Sequence, residues 1–312
     1  MKTFTHNKTI LATVIFCLAL AFSACQKEAN LSNPPDTEDS ITDDEAATLS
    51  SESVEAEAAF DDADDIAFTA ADEEGTAGGF GIDGRTAGSD QGRIFLPHFL
   101  ALRDRIGDCA TITITPNDST YPKTIVIDFG DSCRGRDGKV RSGKLILHFT
   151  GPIRRPGSVV TLHFQNYYVN RIHIQGTKTF KNLSDPPVAK WSIAVNDGKV
   201  TFPNGRGYSY EGMKTVTQIA GMQTAAVWDD VFKITGHSFT VFNNSNKHVF
   251  INTVDPLIKK VACHWISDGT LKIQINRRVL KLDFGFPNNG NCDNKALLTW
   301  NNGNSQKVII LP

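Results

Sequence analysis

From Cys109 to the C-terminus, apolar residues recur at every second position in short runs. Ile125, Ile127 and Phe129 form one such run, and Leu145, Leu147 and Phe149 a second. Val160, Leu162 and Phe164 follow, then Ile172 and Ile174. A period of two puts successive side chains on opposite faces of an extended backbone, so each run predicts a half-buried strand. Turn dipeptides punctuate the pattern at Asp137-Gly138, Pro156-Gly157, Asp197-Gly198, Asn204-Gly205, Asp268-Gly269 and Asn302-Gly303. Several fall between alternating runs and read as hairpin turns. Connections this short exclude the crossovers that parallel pairing needs. The fold class is therefore all-β, a large antiparallel β-meander of roughly 14 to 16 strands. An open sheet, a curved sheet and a sandwich all fit, and the open or curved meander ranks first. One short N-terminal helix is expected over Ile94–Ile106, with Phe95, Phe99, Leu102 and Ile106 on one side and Pro97 in its first turn.

The six cysteines constrain this body further: Cys17, Cys25, Cys109, Cys133, Cys263 and Cys292. The last four form an even set with no close C-x-x-C spacing, which favours two disulfides over a zinc site. Three pairings are open. An internal repeat favours Cys109–Cys133 with Cys263–Cys292. In residues 109–150 a Cys precedes strands that end in Asp128-Phe129-Gly130, and a second Cys and a strand follow. In residues 263–312 the same order surrounds Asp283-Phe284-Gly285.

Ahead of the body lie two other regions. Lys2 and Lys8 precede an apolar run, Ile10–Phe22, and then Ser23-Ala24-Cys25. The run is too short for a membrane span, which needs about 20 residues. Residues 1–24 therefore read as a lipoprotein signal peptide, with Cys25 the lipidated N-terminus of the mature chain. Residues 25–92 read as a disordered acidic tether: residues 26–84 hold 18 Asp and Glu against one cation, Lys27. A marginal amphipathic helix near Ser51–Phe68 is one exception weighed for that stretch. Docking of the stretch onto the basic body is another. The body, residues 93–312, carries the opposite charge, an asymmetry that speaks of partners.

Chemistry is sparse. Asp-Phe-Gly suggests a kinase magnesium site, but the Gly-rich loop and His-Arg-Asp loop are missing, so Asp128 and Asp283 read as strand ends. His148, His163 and His173 share the polar parity of neighbouring strands and are the candidate zinc ligands. A plain solvated face is the favoured reading, and no cofactor is expected. No Gly-x-Ser-x-Gly elbow exists. Glu211, Asp229 and Asp230 are the carboxylates considered for glycoside hydrolysis. Arg154, Arg155, Tyr167, Tyr168, Arg171 and Lys178 interleave positive charge with aromatic rings, a surface suited to an anionic polysaccharide or other envelope glycan.

Gln26-Lys27-Glu28 after Cys25 resembles the surface-export signal of lipoproteins from Bacteroidota-type bacteria. Tyr121–Gly130 (YPKTIVIDFG), Arg141–Leu147 (RSGKLIL), Asn166–Asn170 (NYYVN) and Gly290–Asn294 (GNCDN) resemble segments of β-rich surface lipoproteins of the same bacteria. The resemblance implies an address and a fold class, not an activity. The expectation is an outer-membrane lipoprotein, lipid-anchored and facing outward, with the periplasmic face as the alternative. Its expected role is non-catalytic binding of an anionic or glycan ligand. A carbohydrate hydrolase and a structural envelope protein are the alternatives, and nucleic acid is not expected as a partner.

Overall fold

The computed structural model describes residues 99–311, except 224–228, 244–246, 264 and 276–277. It also describes residues 42, 45, 46, 49, 60, 62–64, 66–71 and 73–75. Cys17, Cys25 and the export-like triplet lie outside the described residues.

The alternation becomes a single 14-stranded antiparallel sheet. Its strands are β1 (Thr111–Thr115), β2 (Lys123–Asp128), β3 (Cys133–Arg134), β4 (Val140–Phe149), β5 (Val159–Val169), β6 (Ile172–Asn182) and β7 (Lys190–Thr201). They continue as β8 (Gly207–Ala220), β9 (Val231–Phe242), β10 (His248–Lys260), β11 (Asp268–Ile275), β12 (Arg278–Asp283), β13 (Lys295–Trp300) and β14 (Ser305–Ile310). Spatial order follows chain order, and only the two-residue β3 leaves the path, pairing with β4. The sequence thus specifies a meander rather than a sandwich. A short helix, Leu100–Ile106, precedes it and buries Leu102 and Ile106.

One face of the sheet carries the core. In β2 the buried positions are Lys123, Ile125 and Ile127, and in β4 they include Leu145, Leu147 and Phe149. A flat sheet this wide could not gather one cluster on one face. Lys178 of β6 and Leu271 of β11 nevertheless line the same cavity. Five inter-strand steps would part them by about 24 Å on a flat sheet. The sheet must therefore curl.

The curl has a visible cause. Register slips by bulges between Ser142 and Lys144, His163 and Tyr167, Gln175 and Thr177, and Val195 and Gly198, on four successive strands. Bulges bend strands and strengthen twist, so a row of them folds the sheet along a line. Gly143 shows why its residue type is fixed. Its φ is +78°, and a Cβ there would meet the Asn166 carbonyl oxygen at 1.9 Å.

Two turn signals mark strand irregularities rather than hairpins, one in this row and one on β11. Asp197-Gly198 sits inside β7, where Asp197 adopts φ 52° at the bulge. Asp268-Gly269 opens β11 beside the irregular pairing of β10. The backbone needs the same left-handed freedom in a bulge as in a tight turn, which explains why the two look alike in sequence. The remaining turn dipeptides do separate strands.

Both cysteine pairs form as the repeat suggested: Cys109–Cys133 and Cys263–Cys292, with Cα atoms 5.5 and 5.6 Å apart. Each closes a loop around a hairpin, β1–β2 and β11–β12. The repeated Asp-Phe-Gly has a structural origin as well. Asp128 Oδ1 accepts the Gly130 N–H at 2.9 Å, and Asp283 Oδ1 the Gly285 N–H at 2.8 Å. Each carboxylate pins the turn that ends its strand.

The described residues between 60 and 75, within the acidic stretch, are not a disordered tether. They are helical and almost all buried, inside the curl of the sheet. Phe60 lies 5.9 Å from Phe164 and 5.4 Å from Tyr210. Phe68 lies 4.9 Å from Phe180 and 5.8 Å from Trp191. Ala63, Ile66, Ala67, Ala70 and Ala71 fill the space between. Composition argued for disorder because acidic side chains cannot be buried alone. Here they are buried against cations of the body.

Candidate functional site

The candidate residues divide between the two faces of the sheet. Tyr167 and Lys178, expected on a ligand-binding surface, point inward and are fully or nearly fully buried. They belong to an internal charge network with the acidic helix. Asp62 is its hub. Arg141 donates from Nε to Asp62 Oδ2 at 3.0 Å and from Nη2 to Asp62 Oδ1 at 2.7 Å. Tyr167 donates its hydroxyl to Asp62 Oδ2 at 2.9 Å, and Lys139 Nζ reaches Oδ1 at 2.7 Å. Arg141 also clasps Asp137, at 2.5 and 3.1 Å. Burial alone would raise the Asp62 pKa, but Arg141 and Lys139 more than offset it and hold it at about 2. The Tyr167 phenol is pushed far above its usual range, first by burial and then by the Asp62 charge.

Two further pairs extend the network. Lys178 of β6 pairs with Asp64, both almost fully buried. Lys123, at the start of β2, donates to Glu74 Oε1 at 2.5 Å, with both side chains wholly buried. Tyr121 donates to Glu74 Oε2 at 2.5 Å. Burial, then the Glu74 charge, drives the Tyr121 phenol far above its ordinary pKa. Asp62 meets the first strand turns of β4, and Glu74 meets Lys123, which pairs with Phe149 at the far end of β4. The helix therefore runs along β4 for about 20 Å. Lys247 and Glu45 form another ion pair between the same two regions. Sequence reasoning missed Arg141, Lys123 and Lys139 as functional candidates. Their signal was available: Lys123 and Arg141 occupy the apolar parity of their strands.

Beyond Phe60 the groove leaves a cavity of about 40 Å³ lined by Ile193, Tyr210, Ile234, Ile251 and Leu257. That volume holds two or three water molecules.

The other candidates lie on the outer face or in turns. Tyr168 stacks on His173 at 4.3 Å between centroids and 11° between planes. The two are direct cross-strand partners on β5 and β6. Arg171, in the turn joining these strands, is exposed, as is Lys199 on β7. Four strand steps further along, the cross-strand partners Phe239 and Phe250 are also exposed. Arg154 and Arg155 sit in the β4–β5 turn, at the opposite strand ends from Arg171. The six candidates are thus not one patch.

The histidines do not converge. His148 and His163 adjoin, with ring centroids 5.8 Å apart, and their Nδ1 atoms lie 2.9 and 3.3 Å from the hydroxyls of Thr124 and Thr177. His173 is committed to Tyr168. Among the described residues no three metal-capable side chains come together.

Among the carboxylates, Glu211 lies apart from the adjacent Asp229-Asp230 pair. Glu211 stands opposite Phe239, whereas Asp230 adjoins Val231, which stands opposite Ala220. Nine residues of strand part them by about 30 Å, beyond the 10 Å or less that glycosidase pairs need. Asp230 accepts a hydrogen bond from Gln218 at 2.9 Å, and burial raises its pKa.

No family model, curated protein or solved structure matches the chain.

Proposed function

We propose that this protein is a lipid-anchored, outward-facing outer-membrane protein that binds an anionic glycan without catalysis. The binding surface is the outer face of the sheet around Tyr168, Arg171, His173 and Lys199. The observation that supports this reading is the Tyr168–His173 stack, with Tyr168 exposed and His173 half-buried, together with exposed Arg171 in the turn joining their strands and exposed Lys199 opposite Gln175. Aromatic faces offer apolar area to the faces of sugar rings, and Arg171 offers a planar fork for a carboxylate or sulfate. The inner cations cannot serve, because the chain's own acids already neutralise them. Glu211 stands about 30 Å along the strand from the Asp229-Asp230 pair, so the binding reading is favoured over a hydrolase that would use Glu211 with either of them.

The test is a glycan array probed with the full-length chain at low and high salt. Binding to acidic glycans that weakens as salt rises is expected, since exposed charge contacts are screened. Arg171→Ala and Tyr168→Ala should each weaken it at least tenfold. Absence of binding at either salt concentration would remove the proposal. Separately, Cys25→Ala should release the protein from the membrane fraction, and its retention there would refute the anchor.

A further inference from the structure

We propose that the inner groove of the sheet is a docking site for the acidic helix of a second copy of this chain. Residues 60–75 are a tethered occupant that two molecules can exchange.

The groove selects its occupant by charge. Three buried cations line it, Lys123, Lys178 and Arg141. A detergent-like molecule with one anionic head would neutralise one and leave two without their Asp64, Asp62 or Glu74 partners, a strongly disfavoured state. An acidic helix neutralises all three at once. It must also place aromatic rings where Phe60 and Phe68 sit, against Tyr210 and Trp191. A second copy supplies both by identity.

Chain length permits the exchange. Residues 76–98, 23 in all, join the helix to the body. Fully extended they reach about 75 Å, further than one sheet body is wide. A helix can therefore fill a neighbour's groove while its own groove receives the neighbour's helix. Every buried ion pair is kept, so the exchanged and closed forms differ mainly in the entropy of association. The cis helix acts at an effective concentration of about 1 mM, so exchange grows where copies are crowded.

Charge-reversed chains test this directly. Lys178→Glu mismatches the groove with its own helix, and Asp64→Lys mismatches the helix with its own groove. Mixed together, each variant's helix matches the other's groove. The expected result is a 1:1 heterodimer by light scattering, with each variant alone monomeric or aggregated. A second measurement needs no variant to fold. Two differently tagged wild-type populations, mixed at about 1 mM, held near pH 2 and returned to neutral, should co-purify, because protonating Asp62 removes its ion pairs with Arg141 and Lys139 and loosens the helix. A synthetic peptide of residues 56–79 in excess should suppress that co-purification. Monomers in both experiments would overturn the proposal. So would equal suppression by an unrelated peptide that keeps only the acidic and Phe spacing, since the groove would then select acidic helices in general.

Discussion

Asp62 accepts from Arg141, Lys139 and Tyr167 at once, and its environment fixes how the protein responds to acid. Its folded pKa is about 2, below the ordinary 3.8. A depressed carboxylate pKa contributes stability that is complete above the unfolded value and lost as pH falls through the folded one. Arg141 and the neutral Tyr167, which face it, are both shifted upward, away from that window, while Asp137, also lowered, adds in the same direction. Unfolding in urea should therefore show about 2 kcal/mol less stability at pH 2 than at pH 6 from Asp62 alone. Asp62→Asn should destabilise at neutral pH by about 3 kcal/mol, and a loss under 1 kcal/mol would contradict the network. Gly143→Ala tests a different constraint. A Cβ there would collide with the Asn166 carbonyl, so the thermal midpoint should fall by an amount matching about 3 kcal/mol or more.

At the level of elements, strands were legible because each reports its own period. Lys123–Phe129 and Gly143–Phe149 announced β2 and β4 through local alternation alone. The acidic helix was legible only as an alternative, an amphipathic helix near Ser51–Phe68 and docking on the basic body, because its burial depends on residues far along the chain. Asp62 and Tyr167 are 105 positions apart. Composition scores acidic residues as solvated, and only the inward parity of Lys123, Arg141 and Lys178 hints otherwise. The outer-face site was legible in part: Tyr168 and Arg171 stay exposed, while Tyr167 follows strand parity inward. One consequence is testable by truncation. A chain lacking residues 1–84 loses Phe60, Ile66 and Phe68 from its core and strips Lys123, Lys178 and Arg141 of Glu74, Asp64 and Asp62, while Arg141 keeps Asp137. It should collect in the insoluble fraction, and a soluble, cooperatively unfolding product would show that the sheet stands without its filling.

Across the whole molecule, two covalent staples sit near opposite margins of one open sheet. Replacing Cys263 and Cys292 together with Ser should cost about 3 kcal/mol by relaxing loop closure, while Cys109 and Cys133 stay protected from thiol reagents. Such a sheet wrapped on a helix also imposes an order on biosynthesis. Residues 60–75 leave the ribosome before any of the strands that will enclose them. They cannot settle until β4 through β8 exist, more than a hundred residues later, so the early product must wait in water. Its density of like charge keeps it dispersed during that delay. The carboxylates that lock the finished protein also serve the nascent one, as its protection against premature collapse.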